Sequence, residues 1–294
     1  MTENLKQQTQ QTQQSRPTPA TQPATVLVTA ASGKSGHRVA ERLAEHGVTV
    51  RAGSRTGEVP FDWEDESTWG PALRGADAAY VTYYPDLAGP GAVDAMRRFG
   101  RLAAEGGVRR LVLLSGRGEP EAVRAEDALR EAGVPLTVVR AAFFAQNFSE
   151  GAFAGGVLDG EIPFPAGDTA EPFLDLEDLA DVVVTVLLDD GHEGLTHELT
   201  GPRLLTFHDV AAELSAATGR RIEYVPVSGD DYVAMLQESG FPAEDALWLT
   251  ELFTMLMDGR NAHPTDGVQR VLGRAPGDFS AFAKDAAASG AWSA

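Results

Sequence analysis

The stretch Val26–Leu43, VLVTAASGKSGHRVAERL, reads as a strand, a short turn and a helix. The first three residues are apolar. The segment from Ser35 places Val39 and Leu43 four apart, on one helical face. A turn of this kind brings backbone N–H groups and a helix N-terminus to a pyrophosphate when it carries glycines spaced G-x-x-G-x-x-G. Gly33 and Gly36 keep the second and third of these, and Ala30 replaces the first. A methyl group at Ala30 is tolerable at negative φ and costly at positive φ. The turn Ala31, Ser32, Gly33, Lys34, Ser35 and Gly36 is therefore a candidate phosphate cradle, with a plain strand–helix turn as the alternative.

The next strand ends VRAGSRTG. A protein that prefers NAD usually carries Asp or Glu there, to hold the ribose hydroxyls. Here Arg51, Ser54 and Arg55 occupy the region. A guanidinium forks onto a 2′-phosphate and a serine hydroxyl adds a contact, so the pattern predicts NADP (NADPH) rather than NAD. The bland reading of Arg55 is a solvated loop arginine. Lys34 is one of only three lysines, with Lys6 and Lys284, and it adds positive charge beside the phosphates or is simply solvated.

Strands and helices alternate outward from this unit. Strands are expected at Thr25–Ala30, Val48–Gly53, Val59–Asp62, Ala78–Tyr84, Arg110–Ser115 and Leu136–Arg140. Helices are expected at Ser35–His46, Glu66–Leu73, Gly91–Glu105 and Glu119–Glu131. Such alternation implies right-handed crossovers and a parallel sheet. TVLVTA, RLVLLS and LTVVR are nearly continuous apolar runs, as when both sheet faces are covered. The fold class is α/β, a Rossmann-like doubly wound parallel sheet with a smaller C-terminal α/β substrate-binding region. The expected division is a disordered tail at 1–24, an NADP-binding domain at 25–150 and a substrate-binding region at 151–294. The tail is rich in Gln, Thr and Pro and cannot bury a core.

The formal net charge is −19, which repels a phosphate backbone and argues against nucleic acid as a partner. There are no cysteines, which excludes disulfides and thiol catalysis and fits a cytoplasmic setting. No apolar run is long enough to span a membrane, and the N-terminus lacks a signal-peptide pattern. The scattered histidines, His192 and His197 included, form no zinc-ligand pattern. A small-molecule substrate and a monomer or homodimer are expected.

The ordered series VLVTAASGKSG, AGSR, FDWEDESTW, LLSG, VVRAAFFAQNFSE and FLDLEDLADV resembles the NmrA-like atypical short-chain dehydrogenase/reductases. FDWEDESTW, FFAQNFSE and ELTGPRLLTFHDVA are most similar to the subgroup that includes fungal festuclavine dehydrogenase of ergot alkaloid biosynthesis. The resemblance spans about residues 25–225. It implies NADP(H), with the adenine end near Gly33, Arg55 and Asp62. It places the nicotinamide end near Thr82, Tyr83, Ser115 and the segment after Arg140, which includes Ala142 and Phe143.

Ordinary short-chain reductases use a Tyr-x-x-x-Lys pair, in which the lysine helps the phenol donate a proton. None of the five tyrosines here has a lysine four residues later. Three readings stay open. Hydride is added to an iminium, which needs no acid. An enone or quinone is reduced, with the proton from Tyr83, Tyr84, Ser115 or water. Or NADP(H) is bound without chemistry by a redox sensor of the NmrA type. The catalytic candidates are Tyr83, Tyr84, Ser115 and Glu119. Neighbouring strand residues face opposite ways, so one tyrosine at most faces the ligand. Ser115 and Glu119 have helix-capping roles as their alternatives. Substrate-binding candidates are Tyr84, Phe144, Gln146, Asn147 and Trp248, the last within the helical run ALWLTELFTMLM as roof and core. Trp63 reads as packing, and Asp175 and Asp178 as helix-start residues.

Overall fold

The computed structural model describes residues 22–293. The expected tail falls largely on residues outside this range. Its last residues are seated, with Pro23 buried and the Ala24 amide donating to Asp77 Oδ2 at 2.9 Å.

Seven parallel strands form the sheet in the order β3-β2-β1-β4-β5-β6-β9. They are β1 (Thr25–Val28), β2 (Thr49–Ser54), β3 (Val59–Pro60), β4 (Ala78–Val81), β5 (Arg110–Gly116), β6 (Leu136–Ala141) and β9 (Thr196–Leu199). Val26 lies opposite Val50 on one side and Ala78 on the other. The order reverses between β1 and β4, which opens a crevice at their carboxyl ends. β3 is cut short at Pro60, which has no amide to donate.

Helix α1 (Lys34–Glu45) and α6 (Leu176–Leu188) cover one face, with Val39, Leu43, Leu179 and Val183 packed on Val26 and Val28. Arg38–Glu177 and Arg42–Asp181 pairs at 2.7 and 2.8 Å link the two helices. The other face takes α2 (Trp69–Leu73), α3 (Ala92–Glu105) and α4 (Pro120–Arg130), with Met96, Phe99 and Leu129 against Leu27 and Leu113. Each large apolar side chain buried in this way contributes about 1.5–3 kcal/mol. The expected helix at Glu66–Leu73 begins as a 3-10 turn, Glu66–Thr68, started by the Asp65 carboxylate on the Ser67 amide.

A cap follows. It contains α5 (Ala154–Asp159), β7 (Glu161–Phe164), β8 (Ala170–Glu171), β10 (Leu205–Thr206), α7 (Phe207–Thr218), β11 (Glu223–Pro226), α8 (Gly229–Glu238), α9 (Ala243–Leu256) and α11 (Phe279–Ala288). Phe148, Phe153, Phe164, Phe207 and Phe279 form its core, and Trp292 Nε1 donates to the Phe148 carbonyl at 2.8 Å. The chain crosses the boundary expected at residue 150. Helix α6 and strand β9 come from beyond it and complete the sheet layers, together with α10 (Gly267–Leu272). Elements α5, β7 and α10 go beyond the sequence expectation. Gly155, Gly156 and Pro163 mask the first two, because they are poor formers of helix and strand.

Candidate functional site

The β1–α1 turn holds the crevice open. A Cβ on Gly36 would stand 1.8 Å from the Ala30 carbonyl oxygen, so only glycine lets α1 sit this close to β1. A Cβ on Gly33 would meet the same oxygen at 3.2 Å. Ala30 itself is unstrained, since no described residue other than glycine has positive φ. Gly33 starts α1 with no side-chain cap. The first-turn amides of Lys34, Ser35 and Gly36 are therefore left to the crevice. Ala31 donates its amide to the Gly53 carbonyl at 3.0 Å, and Ser32 is exposed at the rim. The residues fit a dinucleotide: an uncapped helix start, and a glycine that closes the helix onto the strand.

The two arginines after Val50 separate in role. Arg51 donates to the Ala72 carbonyl at 2.8 Å and the Pro71 carbonyl at 3.0 Å, so it ties down α2. Arg55 is exposed and has no hydrogen bond or ion pair among the described residues. Its guanidinium lies 5.9 Å from the centre of the Tyr84 ring. Ser54 is half-buried next to it. Asp62 turns its Oδ1 onto the Glu64 amide at 3.1 Å and remains half-buried at this side.

Tyr84 departs from its expected place in the substrate site. It is 70% exposed, lies against Arg55, and does not line the cleft. The strand expected to reach Tyr84 ends at Val81, so both tyrosines lie in the loop that follows β4, where the Tyr84–Pro85 bond is cis. Tyr83 does line the cleft, with its ring 5.0 Å from that of Trp63. Its hydroxyl lies beside Gly91 at the start of α3, and burial pushes its pKa up.

A cleft of about 370 Å³ continues from the crevice and is walled by sheet, loop and cap. Thr82 stands at its base. The Thr82 amide donates to Thr29 Oγ1 at 2.9 Å, and the Trp63 indole donates to the Thr82 carbonyl at 2.8 Å. Ser115, Ala142, Phe143, Phe144 and Asn147 all line the cleft. Lys34 lines it too. Its Nζ donates to Asn147 Oδ1 at 2.6 Å, and burial holds its pKa below the usual lysine range. Phe143 doubles as core, with its ring about 6 Å from those of Phe153, Phe164 and Phe253.

Ser115 is held by a charge network. Its Oγ donates to Glu126 Oε1 at 2.7 Å, and Arg140 donates to both oxygens of Glu126, at 2.9 and 2.8 Å. Glu126 is fully buried. Ser115 thus offers the cleft an acceptor, not a proton.

Two other candidates leave the site. Gln146 is buried; its amide donates to Asp175 Oδ1 at 2.6 Å and accepts from the Leu176 amide at 2.9 Å, locking the start of α6. Trp248 is half-buried on the cap core, its ring over Gly89, and lies outside the cleft lining. The roof comes from later turns of the same helix, through Leu252, Phe253, Leu256 and Met257. Asp175 caps α6 as expected.

Three carboxyls line the cleft. Glu119 is 7% exposed, and burial, with Asp86 and Glu126 nearby, pushes its carboxyl well above the usual range. Burial raises Asp86 as well, although the Ala88 amide at 2.8 Å stabilises its anion. Glu171 is 2% exposed, and its Oε1 has no hydrogen-bond partner. Burial pushes it up to about 7, and Arg117 opposes the shift. Sequence reasoning missed Asp86 and Glu171. Glu171 sits on a two-residue strand with no motif, and only the β8–β10 pairing, Glu171 opposite Leu205, carries it to the cleft.

Residues 121–275 match the model of the NmrA-like family. The chain belongs to that family. Agroclavine dehydrogenase of Claviceps fusiformis is 32% identical over 285 residues, covering 89% of this chain and 96% of the relative. Festuclavine dehydrogenase of Aspergillus fumigatus is 28% identical over 282 residues, covering 88% and 97%. The triphenylmethane reductase of Citrobacter sp., solved with NADP(H), superposes with a TM-score of 0.70 at 21% identity, covering 89% of this chain and 99% of that one. This NmrA-like chain shares the α/β fold of that reductase over 89% of its length.

Proposed function

We propose that this NmrA-like protein is an NADP(H)-dependent reductase that delivers hydride to a small electron-poor organic acceptor of iminium, enone or quinone type. The observation that carries the reading is the continuity of an uncapped helix start with a walled aromatic cleft. The cofactor would supply the hydride. The α1 turn and Arg55 would hold its phosphates, and Ala142, Phe143 and Ser115 would flank its reacting end. Phe143, Phe144 and Phe253 line the cleft and would give a flat acceptor apolar walls. A cleft of about 370 Å³ has the size of a small-ligand site. Relatives named as dehydrogenases of ergot clavines support a role in specialised metabolism.

A thermal-shift titration with NADPH, NADP, NADH and NAD, on wild type and Arg55→Ala, tests the cofactor half. A ligand that binds only the folded state raises the melting temperature once its concentration passes the dissociation constant. NADP(H) should shift wild type selectively, and Arg55→Ala should lose the selectivity. No shift at millimolar dinucleotide overturns the reading. A shift with no turnover on any iminium, enone or quinone favours a redox sensor instead.

A further inference from the structure

The described tyrosines and Ser115 leave the reaction without an obvious proton source. Tyr84 is outside the cleft, the Tyr83 hydroxyl lies at Gly91, and the Ser115 proton is committed to Glu126. We propose that Glu119 is the catalytic acid and that the acceptor is a conjugated carbonyl, an enone or quinone, whose oxygen receives the Glu119 proton. This rests on the reductase reading above and names its proton donor and acceptor class.

The placement comes from the backbone. Gly116 ends β5, at the carboxyl edge where doubly wound sheets bind ligands. The Glu119 side chain folds back over it, so that a Cβ on Gly116 would stand 2.0 Å from Glu119 Oε1. The carboxyl therefore sits against the last residue of β5, one residue from Ser115, and faces the cleft. It has no hydrogen-bond partner among the described residues, although the residue is more than nine-tenths buried. An unpartnered buried carboxyl is costly as an anion and stable as an acid. The carboxylates that face it are Asp86, from the loop after β4, and Glu126 of α4. Both raise the cost of a second negative charge. The same logic keeps other buried catalytic carboxyls protonated at neutral pH.

The balance is simple. Hydride adds to the electron-poor carbon, the carbon–oxygen π bond or its conjugated extension takes up the electron pair, and the Glu119 O–H bond breaks to protonate the oxygen. The Glu119 carboxylate then regains a proton from water that enters when the product leaves. Asp86, within electrostatic reach, favours this reprotonation.

The test pairs two acceptors, menadione, which needs a proton, and N-methylacridinium, which needs hydride alone. Glu119→Gln should lower menadione reduction by about 100-fold or more, with the loss confined to the acceptor that needs a proton. Gly116→Ala keeps the carboxyl but displaces it, and should fall on menadione in the same direction. In protein without cofactor, infrared difference spectra of wild type minus Glu119→Gln should show the carbonyl stretch of a protonated carboxylic acid at pH values above the ordinary glutamate range. Equal losses on both acceptors, no loss on menadione, or a missing acid band would each overturn the assignment. If wild type reduces neither acceptor while NADP(H) still shifts its melting temperature, the reductase reading itself fails, and the assignment with it.

Discussion

Gly36→Ala and Gly33→Ala should separate the structural role of the β1–α1 turn from its binding role. At Gly36 the new Cβ would lie 1.8 Å from the Ala30 carbonyl oxygen and 2.6 Å from its carbon. Ordinary contact begins at 3.4 Å, so α1 must retreat from β1 by 3.4 − 1.8 = 1.6 Å. Both partners are backbone and cannot rotate away. The retreat also loosens Val39 and Leu43, which are fully buried against the sheet. Overpacking of this kind costs about 1–3 kcal/mol, and rigid partners place Gly36→Ala near the top of that range. For a chain of this length, about 3 kcal/mol lowers the melting temperature by roughly 5 °C. At Gly33 the contact is 3.2 Å and φ is −83°, so alanine needs a shift of only 3.4 − 3.2 = 0.2 Å and no backbone strain. Gly33→Ala should melt within about 2 °C of wild type, because a surface change without strain costs little. It should nonetheless lose most of its NADP(H)-induced shift, since the methyl stands where the helix start must approach the phosphates. Differential scanning fluorimetry with and without NADP(H) reads both effects. If Gly36→Ala melts like wild type, or Gly33→Ala is the less stable of the two, the close-packing argument is refuted.

Two further outcomes follow from buried carboxyls. Burial raises Glu171 from 4.5 to about 7, a gap worth about 3 kcal/mol. A raised carboxyl contributes stability that is fully present below its unfolded value and is lost as pH rises through its folded value. Wild type should therefore lose stability relative to Glu171→Gln between about pH 4.5 and pH 7; parallel melting curves across that window would contradict the environment described. Glu126→Ala strands Arg140 and Ser115. Breaking a buried pair costs about 3–5 kcal/mol, and because Glu198 at 3.7 Å remains near Arg140, the lower end is expected in urea unfolding. A loss under 1 kcal/mol, by the same scale, would mean that Arg140 reaches solvent without Glu126.

The centre of the sheet was legible because β1, β4, β5 and β6 are buried on both faces, which leaves nearly continuous apolar runs such as RLVLLS that few other structures require. Helix ends were legible within a residue or two, through Gly47, Gly133 and Asp175. The cap was less so. Its strands are two to four residues long, and pairs such as Glu223–Pro226 with Glu161–Phe164 join segments far apart in sequence. That Val138 pairs with Thr196 could not be read locally, because an edge position depends on which surface the rest of the chain leaves free.

The site divides along the same line, and the division explains which candidates the fold brings to the cleft. Residues whose role is fixed by the backbone next to them, Gly33, Gly36, Thr82 and Ser115, stood where the strand ends put them. Residues whose role depends on where a long side chain is drawn did not. Arg51 and Arg55 have the same chemistry in sequence; Arg51 finds two free carbonyls at the end of α2, and Arg55 finds none. Gln146 and Asn147 are neighbours with the same amide, yet one bonds Asp175 and the Leu176 amide at the start of α6 and the other meets Lys34 in the cleft. Glu119 is the extended N-cap residue of α4, and Glu126 lies within that helix. Arg140 draws Glu126 into an ion pair and leaves Glu119 with nothing to neutralise it. Glu126 thus takes the Ser115 proton out of play, and the uncompensated Glu119 is the carboxyl left holding a proton of its own at the edge of β5.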